Sequence, residues 1–302
     1  MQKWEIMMLI RFSVENFLSF CDETEFSMIA GKTRQHSEQK LKLKKPNNLN
    51  VLKTGVIYGA NTSGKSNLVK AIDYARDRII MGTRLKQMIP FNPFRFAKDC
   101  QSKPSKFTFE FSTNDESYVY GFSLDAQRIH EEWLYEIRAR SERQIFERKT
   151  SANNETTVEF NLKFDSKDDE DFLRFTARGT RPNQLFLTES IERNVEHFAD
   201  VYNWFRNSLV IIFPDSKITG LPALFMVEDS FKQRFEQLLK QFDTGISGVK
   251  LQEVDFEKLS IPEIILEDIH QNMHSIDAEE QMVVLTPDGR RYLFDRNCSG
   301  VL

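Results

Sequence analysis

"VIYGANTSGKSNLVKAI", residues 56–72, sets a short apolar run, a glycine-bounded loop and an apolar-periodic helix in immediate succession. Gly59, Ala60, Asn61, Thr62, Ser63, Gly64, Lys65 and Ser66 satisfy G-x-x-x-x-G-K-[ST] at every fixed position. The spacing has a mechanical reason. Glycines permit a tight turn that converges backbone N–H groups on phosphate, and the helix that follows adds the positive end of its dipole. Lys65 is placed to reach the β- and γ-phosphates of ATP, and the Ser66 hydroxyl to ligate Mg²⁺ between them. A purely structural glycine connector would need neither the strand expected at Gly55 to Tyr58 nor the helix whose Leu68, Ile72, Ala75, Ile79 and Ile80 recur at helical spacing.

Outward from the loop, Met8 to Phe20 opens as a half-buried strand, with Glu25 to Ile29 as its hairpin partner. In the middle of the chain the period changes to two: Phe107, Phe109 and Phe111 alternate, as do Tyr118, Tyr120, Phe122 and Leu124, and then Val158, Phe160, Leu162 and Phe164. These stretches, with Ile129 to Ile137 and Gln144 to Arg148, read as an antiparallel meander. Its phenylalanines form one buried face, not a base-stacking platform. Helical spacing returns in Ile191, Val195, Phe198, Tyr202 and Phe205, and again from Phe231 to Phe242 before Gly245, which suits a C-cap. Leu209 to Phe213 reads as an apolar strand, and Met282 to Leu285 and Tyr292 to Phe294 as a hairpin about Pro287-Asp288-Gly289.

The expectation is an α/β P-loop NTPase with an antiparallel β subdomain and helical insertions, forming one domain over 8–302. Its parts are 8–86 (N-terminal strands, loop and helix), 87–165 (β subdomain), 166–245 (helical) and 246–302 (C-terminal strands). With 302 residues and 40% hydrophobic content the chain can bury a large core. No stretch reaches the roughly 18–20 apolar residues of a membrane span, and the start lacks a basic-then-apolar leader, so a cytoplasmic protein with no membrane partner is expected. Cys21, Cys100 and Cys298 are odd in number and widely spaced, which reads as separate reduced thiols. A net charge of −4 gives no global footprint for nucleic acid. The one basic segment, 32–45, with Lys32, Arg34, Lys40, Lys42, Lys44 and Lys45, reads first as a solvated arm and second as a contact for an anionic partner. In "RIHEEW" no second histidine follows Glu131 at helical spacing, so a zinc helix is disfavoured.

The form G-A-N-x-S-G-K-S-N-L resembles the ABC-type ATPase heads of the chromosome-maintenance and recombinational-repair kind, which adds Asn67 to the nucleotide-binding set. Together with "LIRFSVENFLSFCDETEFSMIAGK" at 9–32, "IHEEWLYEI" at 129–137 and "VYNWFRNSLVII" at 201–212, it is similar to bacterial AAA/ABC-type ATPases of abortive-infection and restriction systems. Relatives of these are the overcoming-lysogenisation-defect ATPases. The resemblance implies ATP and Mg²⁺ as cofactors, a homodimer closed around ATP, a nuclease or toxin effector, and a role in phage defence. It also implies a signature loop followed by an apolar strand ending in Asp-Glu and a switch histidine. Here "LVIIFPD" at 209–215 has no Glu after its Asp, and "IILEDIH" at 264–270 offers Glu267 and Asp268 in the wrong order relative to Ser299-Gly300. They are weak candidates for the catalytic carboxylates. The ending "FDRNCSGVL" reads as a chain cut short near the signature. Two functions therefore stand open: a hydrolysing ATPase head, or a nucleotide-gated sensor or binding module without turnover. A P-loop kinase or GTPase is more distant, since no NKxD motif is present.

Overall fold

The computed structural model describes residues 7–32, 36–44, 48–85, 87–164, 166–214, 216, 229–242 and 248–249, with the backbone of 282–285 and 291–294. Two compact units divide at Ile211 and Ile212.

The first unit is built on a seven-stranded sheet in the order β2-β1-β5-β6-β7-β8-β9, every pair antiparallel. The strands are β1 (Met8–Glu15), β2 (Thr24–Ser27), β5 (Ser105–Thr113), β6 (Glu116–Leu124), β7 (Ile129–Ile137), β8 (Glu142–Thr150) and β9 (Thr156–Phe160). Period-two alternation puts Phe12, Val14, Phe107, Phe109, Phe111, Tyr120, Phe122, Leu134 and Phe146 on one buried face, as the pattern predicts. Against that face lie α1 (Lys65–Met81), α3 (Lys167–Gly179), α4 (Phe186–Glu192) and α5 (Ala199–Asn203), the last continuing into a π turn at Trp204–Ser208. Trp204 stacks on Phe111 with ring centres 4.2 Å apart, and Phe205 meets Phe109 edge-on at 5.1 Å. A short helix α2 (Lys98–Gln101) precedes β5. A smaller hairpin, β3 (Lys40–Lys42) with β4 (Asn50–Leu52), closes a second cluster of Ile10, Leu43 and Val51.

Several expectations need correction. Gly55 to Tyr58 runs into the glycine loop as exposed chain outside any strand, with Val56 68% and Tyr58 86% exposed. Leu209 to Phe213 likewise lies outside any strand. Neither has a sheet neighbour among the described residues, and a strand forms only where its backbone groups find a ladder. The apolar spacing from Ile191 to Phe205 is one helical pattern on paper but four short pieces in space, broken at Arg193 and Asn194 where Asn194 takes φ 60. Part of the basic arm is structured: Lys40 to Lys42 pair as β3, Leu43 is buried, and Lys44 bonds Asp115 at 2.8 Å. Arg34 and Lys45 lie outside the described residues.

Helix α3 was not legible as a separate element, yet its local signals are complete. The Ser166 hydroxyl accepts from Asp169 N, and Asp168, Asp169 and Glu170 fill the first turn.

The sheet and the helical layer are locked by one buried carboxylate. Glu132 on β7 accepts hydrogen bonds from the backbone N–H of Phe186 (2.6 Å) and Leu187 (2.9 Å) and from the Tyr120 hydroxyl (3.0 Å). Arg148 on β8 donates to it at 3.3 Å, and to the carbonyls of Gln184 (2.5 Å) and Arg181 (3.0 Å). Both side chains are fully buried. Burial lowers the guanidinium pKa, and Glu132 opposes that shift. Glu132 thus caps α4 from a distant strand, doing what a local Ser or Asp would do elsewhere.

In the second unit α6 (Asp229–Gln241) carries Phe231 and Phe235 with ring centres 6.3 Å apart, and β10 (Met282–Leu285) pairs with β11 (Arg291–Phe294). The expected turn at 287–289 and the C-cap at Gly245 lie outside the described residues.

Replacing Arg148 by Met should destabilise the protein by about 3 kcal/mol, because it strands a buried carboxylate without its cation. Guanidinium unfolding would show this as a lower midpoint. A loss under about 1 kcal/mol would mean that the backbone and Tyr120 donors satisfy Glu132 by themselves.

Candidate nucleotide-binding site

The loop begins where the exposed run 55–58 ends and is closed by α1. Gly64 takes φ +91 at the helix N-cap, and the Leu68 N–H donates to the Gly64 carbonyl to start the helix. Thr62 also lies at positive φ. Gly64 is held at a φ that favours glycine, and an added side chain at Gly59 would crowd Ser63. A Cβ on Gly59 would sit 2.7 Å from Ser63 Oγ, and one on Gly64 would sit 3.0 Å from Ser19 Oγ. Around Gly59 that space is taken by the loop's own Ser63 and Lys65 side chains, and around Gly64 by Ser19 and Phe20 of the turn after β1.

Lys65 bends back over this loop. Its ammonium donates to the carbonyls of Gly59 (2.8 Å) and Ala60 (2.7 Å) and lies 3.4 Å from Ser63 Oγ. Ser66 is exposed beside it. The first turn of α1 carries no acidic residue, in contrast to that of α3. The positive end of the α1 dipole, with its free N–H groups, is left open to an anion. Every predicted binding residue from Gly59 to Asn67 falls in this one loop and turn. Glu267 and Asp268 lie outside the described residues, so their place relative to Lys65 is not fixed by geometry.

Helix α1 is held along its length. The Arg76 guanidinium donates to the carbonyls of Phe205 (2.9 Å) and Arg206 (3.2 Å), and the Tyr202 hydroxyl to that of Ile80 (3.2 Å). At its C-terminal end the Thr188 hydroxyl donates to the Ile79 carbonyl (2.7 Å), and the Gln184 side chain accepts from Thr83 N (2.8 Å). Both partners belong to the α4 region that Glu132 caps.

The profile of the family described as "AAA domain, putative AbiEii toxin, Type IV TA system" matches residues 56–278, most of the chain, starting at the glycine loop. The chain belongs to this family. No curated protein matches the sequence. As a member of this family it joins mixed α/β content to an antiparallel sheet. Among the described residues no helix is long and apolar enough to cross a membrane.

Two features escaped sequence reasoning. In "RIHEEW" the working residue is Glu132, the structural cap, while His130 Nε2 pairs with Asp125 Oδ2 at 2.7 Å. Burial pushes the Asp125 carboxyl up, but the N–H groups of Gln127 and Arg128 and the His130 ring outweigh it, so its pKa is lowered. His130 lines a cavity of about 380 Å³ with Ser123, Glu131, Lys149 and Thr150. Among the described residues no group of three His, Cys, Asp or Glu could hold a metal there or elsewhere. The second feature is a disulfide between Cys21 and Cys100, with Cα atoms 6.5 Å apart, where the spacing had suggested free thiols. The two residues are distant in sequence but meet where the turn after β1 packs on α2. Cys298 lies outside the described residues.

Gly64→Ala should cost about 1–2 kcal/mol in stability, since L-residues resist positive φ, and should weaken nucleotide binding further by displacing the Ser19 turn. Gly31→Ala, with nothing within 4 Å of the added Cβ, serves as the control and should stay within about 0.5 kcal/mol of wild type. Equal effects in the two variants by thermal unfolding would show that Gly64 is an ordinary loop glycine.

Proposed function

We propose that this chain binds Mg-ATP through the loop at 59–66 and serves as the ATPase head of an abortive-infection or toxin–antitoxin system. The observation that supports it is the tight loop at an acid-free helix N-terminus, with Lys65 poised over its carbonyls. When ATP arrives, Lys65 exchanges those carbonyls for β- and γ-phosphate oxygens, and the α1 N–H groups hold the same anion. The Ser66 hydroxyl would hold Mg²⁺, which would supply neutralisation of charge on the phosphates. Ser66, exposed at the start of α1, offers that ion a hydroxyl oxygen, while the Lys65 ammonium is suited to the phosphates and not to the metal. The family match and the resemblance together support a defence role. In the finer reading the head is of the ABC type, two copies close around ATP, and the partner is a nuclease or toxin.

A second reading, a nucleotide-gated module without rapid turnover, is favoured by one observation. Among the described residues no carboxylate bonds Lys65 or Ser66, and hydrolysis needs a group to orient the attacking water. The two readings share the loop and differ only in chemistry.

Lys65→Ala should weaken Mg-ATP binding by about 2 kcal/mol or more, since charge-assisted hydrogen bonds to phosphate are lost. Unchanged affinity by calorimetry would make the loop structural. On the second reading, phosphate release by the 302-residue chain should be very slow. Fast release that Lys65→Ala abolishes would contradict the second reading and make Glu267→Gln and Asp268→Asn the next substitutions to measure.

A further inference from the structure

The glycine loop is buttressed by a turn that a disulfide ties down. After β1 the chain reverses at Phe17–Phe20, whose backbones exchange two hydrogen bonds of 2.9 Å. The tip of this turn, Ser19 and Phe20, lies against Gly64: the Cβ position there is 3.0 Å from Ser19 Oγ and 3.8 Å from the Phe20 ring. Asn16 and Leu18 hold φ of 52 and 51, a region that Leu rarely adopts. Such a conformation persists only where its surroundings impose it. Here two things do. The Asn16 amide donates to the carbonyls of Cys100 and Lys103, both at 2.7 Å, and accepts from Phe94 N at 3.1 Å. The second is the Cys21–Cys100 bond itself. The covalent loop it closes, 79 residues in separation, contains the whole glycine loop and α1.

Access to the two sulfurs is unequal. Cys100 is 3% exposed, whereas Cys21 is half-buried on the turn. We propose that Cys21 and Cys100 are a reversible thiol–disulfide site that sets how firmly the glycine loop is held and, through it, the affinity for nucleotide. The affinity part rests on the nucleotide reading of the loop given above. The oxidant is a low-molecular-weight disulfide. The Cys21 thiolate attacks one of its sulfurs, expelling one small thiolate and leaving a mixed disulfide at the accessible position. The Cys100 thiolate then attacks Cys21 Sγ and expels the second. Two protein thiols give up two electrons and two protons, and the small disulfide becomes two small thiols. Reduction runs the same steps backwards, entering at Cys21.

The test uses the full chain carrying Cys298→Ser, equilibrated with oxidised glutathione or with dithiothreitol. Alkylation after unfolding should count no thiols in the first form and two in the second. Amide exchange at Gly64 to Leu68 should be slower by about tenfold in the oxidised form, because the turn is then pinned against the loop. Mg-ATP should bind about three- to tenfold tighter to that form, as expected for a preorganised site. Under oxidised glutathione Cys100→Ser should stop at a mixed disulfide on Cys21 and Cys21→Ser should keep its buried thiol, yet both should show the amide exchange and nucleotide affinity of the reduced protein. Two thiols surviving oxidised glutathione, or equal exchange rates in the two forms, would overturn the proposal. Failure of ATP to bind either form would instead refute the nucleotide reading, while thiol count and exchange still decide the redox site.

Discussion

The Glu132 carboxylate is the constraint from which the rest of the first unit follows. It sits fully buried among phenylalanines, where an unpaired charge would be intolerable, and it is satisfied by two backbone N–H groups, a phenol and a guanidinium. Those donors come from β6, β8 and the start of α4, so satisfying one charge fixes three elements at once. From α4 the constraint passes through Thr188 and Gln184 to the end of α1 and to Thr83 just beyond it. The far end of α1 is the glycine loop. The buried carboxylate thereby reaches, through α4, the helix that carries the loop.

At that far end the hold is of a different kind. The body of α1 packs Ala71, Ala75 and Ile79 into the aromatic core and is tied by Arg76 to the π turn. The loop at 59–63 is exposed, Leu68 in the first turn packs against the core, and Gly64 between them meets the Ser19–Phe20 turn. The Lys65 ammonium donates to loop carbonyls whose place a phosphate could take. A packed helix body with an accessible loop at its tip suits a site that must admit and release a charged ligand.

The sequence was most readable where one local rule governs. The alternation of Phe107, Phe109 and Phe111 predicted a buried sheet face, and the spacing from Leu68 to Ile80 predicted a helix, because each pattern is decided by which side meets the core. It was least readable where a distant group decides. Val56 to Tyr58 has strand composition, but a strand needs a neighbour, and composition does not supply one. Glu132 and Arg148 look like surface charges until the fold brings them together. The same holds for Cys21 and Cys100, whose pairing depends on α2 meeting the turn after β1. The loop was legible as a turn that leads into a helix, because that much is carried by local spacing. The carboxylates at 267 and 268 were not, since their role depends on where a later segment lies.

The central claim is that the loop at the head of α1 holds nucleotide by its phosphates. Phosphorus NMR of Mg-ATP titrated with the protein tests it directly. The β and γ resonances should shift and broaden on binding far more than any adenine proton, because Lys65 and the helix N–H groups meet the phosphates. Large shifts confined to the adenine protons, with all three phosphorus resonances unmoved, would contradict the account and place the nucleotide elsewhere on the chain.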